Sequence, residues 1–211
     1  MRYLFLLLAA AVSVSAQIKT PVKPAPKPTP TPVAEDIVAK NGGKIVDRTY
    51  SNETLKFKLT LPAGWFFAGR DFETVLKAEG IDLSTSKTSA KLLLTAFTAE
   101  TESKKSAVLR VASEDLTQQP QIKDEVDYLD SVRASFKRTR LPAGFVYGET
   151  GAEELGRRQY AYLDISTSNG NKRIYVKFRG RNAILMTVSY IDAVDLERFR
   201  DILEKRGFDL L

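Results

Sequence analysis

Residues 158–181 read RQYAYLDISTSNGNKRIYVKFRGR. Two strand-like runs flank Asn169-Gly170, a dipeptide that favours a two-residue type I′ hairpin turn. With that turn Ser168 faces Asn171. Ile165 then faces Ile174, Leu163 faces Val176 and Ala161 faces Phe178. All three pairs are apolar and share one face, so pattern and register agree. The same register puts Tyr160 opposite Arg179, Tyr162 opposite Lys177, Asp164 opposite Tyr175 and Ser166 opposite Arg173 on the other face, with Arg158 opposite Arg181 if pairing extends that far. Two arrangements suit this basic and aromatic face. Exposed, Tyr160, Tyr162, Tyr175, Lys177 and Arg179 would form a site for an anionic ligand or partner. Covered by a helix, the rings pack and the cationic heads reach past them to water.

The neighbours of this hairpin set the fold class. Ala183–Ile191 is apolar almost throughout and reads as a central strand. Asp192 caps a last helix with Leu196, Phe199 and Leu203 on one side; Gly207 ends it, and Phe208 can fold back in a Schellman arrangement. Upstream, Leu55, Phe57, Leu59 and Leu61 alternate with polar residues as a half-buried strand stopped by Pro62-Ala63-Gly64. Asp71 can cap a short helix carrying Phe72, Val75 and Leu76 and stopping at Gly80. Lys91–Thr98 and Ala107–Ser113 read as strands joined by a polar loop. Ile122, Val126, Leu129, Val132 and Phe136 fall at helical spacing after Pro120. The order is strand, helix, strands, helix, three strands, helix. That is an α+β chain, a mainly antiparallel sheet that helices cover on both sides.

The N-terminal stretch differs in kind. Met1-Arg2, an apolar run over Tyr3–Val14 and the small residues Val14-Ser15-Ala16 form a secretory signal pattern over residues 1–16. The run is short for a bilayer anchor, so no stable membrane span is expected after cleavage. Residues 17–33 carry six prolines in 17 positions, an extended spacer. Residues 34–211 are then one domain, exported to the periplasm or the exterior. Of the 32 cations, Arg2, Lys19, Lys23 and Lys27 precede residue 34, whereas all 26 acids follow it. The domain itself therefore carries a charge near +2, and no nucleic acid partner is implied.

The 211 residues include no cysteine and no histidine. That removes disulfides, thiol nucleophiles, imidazole bases and zinc sites built on either residue. Ser84-Thr85-Ser86-Lys87 has Ser-x-x-Lys spacing without its companion motifs. Asp124, Glu125, Asp127 and Asp130 with Arg133, Lys137 and Arg138 match the charge order of a helix dipole better than a metal site. Glu153-Glu154 and Asp192 with Asp195 are the carboxylate pairs that suggest acid–base work, and Asp192 and Asp195 also serve as a helix cap. No catalytic residue, metal or cofactor is assigned. The sequence implies a non-catalytic binding or accessory module of the cell envelope, its partner an envelope protein or anionic envelope component. A small carboxylate-dependent hydrolase, with or without an assisting metal, is the alternative.

Tyr50-Ser51-Asn52, the strand Leu55–Leu61 and Pro62-Ala63-Gly64-Trp65 resemble the opening of PsbP-like domains. Gly156-Arg157-Arg158 leading into a strand, and the closing strand and helix, fit the same family over roughly residues 44–211. The resemblance implies an α/β/α sandwich, shared with a Ran-binding nuclear import factor. PsbP itself is a thylakoid-lumen subunit that helps photosystem II retain calcium and chloride; many relatives are exported bacterial proteins with no assigned activity. Only the fold is carried over.

Overall fold

The structure, a computed structural model, describes residues 35–68, 90–98 and 107–210. The signal pattern, the proline spacer, the helix expected from Asp71, the Ser84–Lys87 motif and most of the loop before Ala107 lie outside the described residues.

In chain order the elements are α1 (Glu35–Lys40), β1 (Gly43–Val46), β2 (Thr49–Asn52), β3 (Phe57–Thr60), β4 (Trp65–Phe67), β5 (Ala90–Thr98) and β6 (Val108–Asp115). They continue as α2 (Glu125–Phe136), β7 (Val146–Leu155), β8 (Arg158–Thr167), β9 (Gly170–Arg179), β10 (Asn182–Tyr190), α3 (Ala193–Glu204) and β11 (Phe208–Leu210). A seven-stranded sheet runs β4-β5-β6-β10-β9-β8-β7, and a four-stranded one β1-β2-β3-β11. All described strand pairs are antiparallel. The expected central strand, β10, sits fourth of seven.

Helices cover both faces of the large sheet. On one, Tyr128, Leu129, Val132 and Phe136 of α2 pack on Leu163, Ile165, Ile174, Val176 and Leu185. On the other, Leu196, Phe199, Ile202 and Leu203 of α3 meet Tyr160, Tyr175, Ile184 and Met186. The small sheet adds Tyr50, Phe57, Leu59 and Phe208 to that second core. This is the expected α+β architecture.

Local chemistry sets the element ends. Asp124 accepts the Asp127 N–H at 2.8 Å and Asp192 the Val194 N–H at 2.9 Å, both as N-caps. The α2 start expected after Pro120 is therefore corrected to Asp124; Ile122 is buried but precedes the helix in a turn bonded to the Gln119 carbonyl. At the end of α3 the Gly207 N–H reaches the Ile202 carbonyl and the Arg206 N–H that of Leu203. That is the Schellman pair, but the residue with positive φ is Arg206, at 57°, and not Gly207.

Two expectations fail in an instructive way. The hairpin pairs Thr167 with Gly170, Ile165 with Lys172, Leu163 with Ile174 and Ala161 with Val176. Each partner is displaced by two residues from the expected register. The turn residues are Ser168 and Asn169, neither of which takes positive φ; Gly170 follows at φ 124°. An Asn-Gly type I′ turn would need positive φ at both central positions, and here only the glycine supplies it. A shift of two leaves every side chain on its expected face, whereas a shift of one would have exchanged the faces. Second, four strands and not three follow α2. β7 is hard to read because its sequence, VYGETGAEEL, has two glycines, three glutamates and weak alternation. It pairs with β8 across a register irregularity between Tyr147 and Thr150.

Candidate functional site

The basic and aromatic face of the hairpin lies under α3. Tyr160 and Tyr175 are fully buried, and the Tyr175 ring stands 5.7 Å from that of Phe199. Tyr162 and Lys177 are half-buried and Arg179 is exposed. The five residues thus split: two rings belong to the core, and the accessible remainder is a rim.

The polar groups among these rings are bonded to one another. Arg173 makes a two-pronged contact with Asp164, 2.7 Å for both nitrogens, and its guanidinium carbon sits 4.1 Å from the Tyr162 ring centre. Glu153, from β7, accepts the Tyr175 hydroxyl at 2.6 Å and Arg173 at 3.1 Å, and pairs with Arg200 of α3 at 2.7 Å. Burial and the bond to Glu153 hold the Tyr175 phenol above its usual range. Lys177 donates to the Gln159 carbonyl and pairs with Glu125. Arg158 pairs with Asp209 of β11, and Arg181 donates to the carbonyls of Leu116, Gln119 and Ile122. β7 fits beside β8 because Gly151 is opposite Tyr162; a Cβ there would stand 2.5 Å from the ring.

Of the other candidate acids, Glu154 is exposed and the rest are engaged. Asp127 accepts the Lys123 N–H, Glu125 the Phe178 N–H, and Asp130 the Thr150 hydroxyl and Arg133. Asp195 pairs with Arg198. Among the described residues no group of three or more acids is placed to hold a metal ion.

The opposite face of the sheet holds two cations that the sequence reading passed over. Arg110 on β6 is 9% exposed and Lys172 on β9 is 5% exposed. Arg110 lies directly between Thr95 of β5 and Thr187 of β10, both buried; Lys172 lies beside Ser189 of β10. One strand, β10, separates them, one diagonal step apart. Burial, reinforced by the charge of Arg110, lowers the Lys172 ammonium to about 8. Burial also lowers the Arg110 guanidinium from its usual range. Among the described residues no carboxylate pairs with Arg110. Glu114, two pleats along β6, is engaged by the Tyr128 hydroxyl at 2.6 Å and by Gln119 at 3.2 Å. The signal was present in the sequence: Arg110 interrupts the apolar run VLRVAS, and Lys172 falls on the apolar face of the hairpin.

No family model matches this chain, and no curated protein matches it. Among solved structures it is similar to the solution structure of cyanobacterial PsbP (CyanoP) from Synechocystis sp. PCC 6803. Identity is 10% and the TM-score 0.46, over 80% of this chain and 96% of that one. The likeness is one of fold.

Proposed function

We propose that this chain is an exported, non-catalytic accessory module that binds a component of the cell envelope. The observation that carries this reading is the junction near residue 34. A signal-like apolar run and a proline spacer lead into a body whose core begins at once, with Val38 buried in the same cluster as Tyr50 and Phe208. Such an order suits a folded body held away from its point of export by an extended tether. The hydrolase alternative draws no support from its candidate acids, since Glu153 is held by three donors and Asp192 caps α3. Fractionation of expressing cells with N-terminal sequencing tests export. The expected product lies outside the cytoplasm and begins at Gln17; an intact Met1 terminus in the cytoplasm or a membrane pellet would overturn the reading.

A further inference from the structure

The small sheet β1-β2-β3-β11 has one covered face and one bare face. Ile45, Tyr50, Leu59 and Phe208 lie in one cross-strand row and pack into the core beneath α3. Alternation along each strand sends their chain neighbours the other way. Lys44, Ser51, Lys58 and Asp209 form the matching outer row, and Val46, Thr49 and Thr60 the next one. Lys44, Val46, Lys58 and Thr60 are exposed, Val46 to 50%. Thr49 and Thr60 share a hydroxyl contact of 3.0 Å. Lys44 and Lys58 stand on either side of Ser51, two strand spacings or roughly 10 Å apart. Among the described residues neither has a carboxylate partner, and the same holds for exposed Arg48 in the β1–β2 turn and Arg206 just before β11. The acids nearby are Asp47 and Glu53 in turns and Asp209, which Arg158 already pairs. The segment leading to this sheet has the same sign. Residues 17–33 carry Lys19, Lys23 and Lys27 and no acid; Glu35 and Asp36 open α1, and only Asn41 and Gly42 separate it from β1.

We infer that the outer face of the small sheet, led by Lys44 and Lys58 and continued by the basic spacer, is a docking surface for a bilayer rich in anionic phospholipid. Charge complementarity carries the choice. Lysine is a compact, mobile cation that suits a diffuse negative surface, where each one strengthens binding about fivefold. A sheet face brings its cations to one plane together, and Val46 adds an exposed apolar side chain among them. An acidic protein is the weaker fit. The two outer rows hold none of the Trp, Tyr and Phe that anchor protein interfaces, and consist largely of the lysine and hydroxyl residues that such interfaces use little. The inference rests on the export reading and deepens it, since it names the envelope component that the body meets. Its test is run on purified protein, so that failure of one is told apart from failure of the other.

The test sediments the full chain with vesicles of equal parts phosphatidylglycerol and phosphatidylcholine, with pure phosphatidylcholine vesicles as the reference. Any binding by the apolar run Tyr3–Val14 appears with both kinds. The protein is expected to bind the anionic vesicles at least about tenfold more tightly. That preference should vanish as salt rises from about 0.05 to 0.5 M and the Debye length shortens. Lys44→Gln with Lys58→Gln is expected to weaken binding roughly 25-fold. Lys123→Gln with Lys137→Gln, exposed lysines outside this sheet, removes the same charge and is expected to change binding less than about twofold. These are surface exchanges, so melting should not move. Should the first pair melt below the wild type, Lys58→Gln alone is expected to cost about fivefold. Equal binding to both kinds of vesicle would overturn the inference, as would anionic binding that the two pairs of substitutions weaken alike. Binding to polyglutamate without binding to vesicles would also overturn it and assign the face to an acidic protein. A cytoplasmic product with an intact Met1 that still binds anionic vesicles through Lys44 and Lys58 would sink the export reading alone.

Discussion

Lys172 shows at the scale of one residue what burial does to charge. Its pKa falls from the ordinary 10.5 to about 8 through desolvation and the nearby Arg110. The folded state therefore gives up this proton earlier than the unfolded chain. Between about pH 8 and pH 10.5 the unfolded state binds more protons, so this group's contribution to stability rises with pH across that window. Below about pH 8 both states hold this proton, and the contribution no longer changes with pH. Above about pH 10 the buried tyrosines Tyr50, Tyr128, Tyr160 and Tyr175 and the half-buried Tyr190 act in the opposite sense, since desolvation raises each of them. Denaturant unfolding at about pH 7.5 and pH 9.5 isolates the lysine. Relative to Lys172→Met, the wild type is expected to gain roughly 1–2 kcal/mol between those values. Parallel pH profiles for the two proteins would refute the assignment. Asn52 carries a different lesson. It is fully buried, donates to the Asn41 carbonyl and the Tyr50 hydroxyl, and accepts the Leu55 N–H. The Tyr50-Ser51-Asn52 stretch that suggested a family thus has a structural role, since its asparagine ties β2 to the turns on either side.

The hairpin β8–β9 is the element on which most of the molecule depends, because each of its faces supplies a different core. Its apolar face was legible from alternation alone. Its second face was not, since Tyr, Lys and Arg in alternation suit both an exposed surface and a helix-covered one. α3 decides between them by bringing Phe199 against Tyr175 and Arg200 against Glu153. The double substitution Tyr162→Ala and Lys177→Ala measures this covering. It removes the ring beneath Arg173 and the stem that reaches Gln159 and Glu125. We expect a loss of roughly 2–4 kcal/mol, the range of large-to-small changes in packed sites. A loss within about 0.5 kcal/mol, typical of exposed positions, would show that the rim is free surface. β7 illustrates why an edge strand escapes notice. Its order comes from pairing with β8 and from Glu153 reaching three donors, and local pattern announces neither.

In the whole molecule, the described sheets and helices enclose two cores, one on each face of the seven-stranded sheet. The core beneath α3 draws on both ends of the described chain, Val38 and Tyr50 near its start and Phe208 near its end. Removal of residues 17–33 is expected to leave the melting temperature unchanged within error, because a proline spacer buries little apolar surface. A drop of several degrees in a melt of the truncated protein would mean that the spacer docks on the body. Extending the deletion through Asn52 should by contrast unfold the protein, since β2 and the buried Tyr50 go with it. By itself the sequence determined the α+β class, the strand and helix identity of its most periodic segments, the Asp192 cap and the exclusion of thiol and imidazole chemistry. These follow from local periodicity, from capping chemistry and from composition. Only the tertiary structure decided the register of the hairpin, the partner of β7, the covering of the tyrosine face and the meeting of Arg110 with Lys172. The physical reason is that each of these depends on contacts between strands or layers, where one glycine's φ or one helix's position selects among arrangements that local pattern leaves equal.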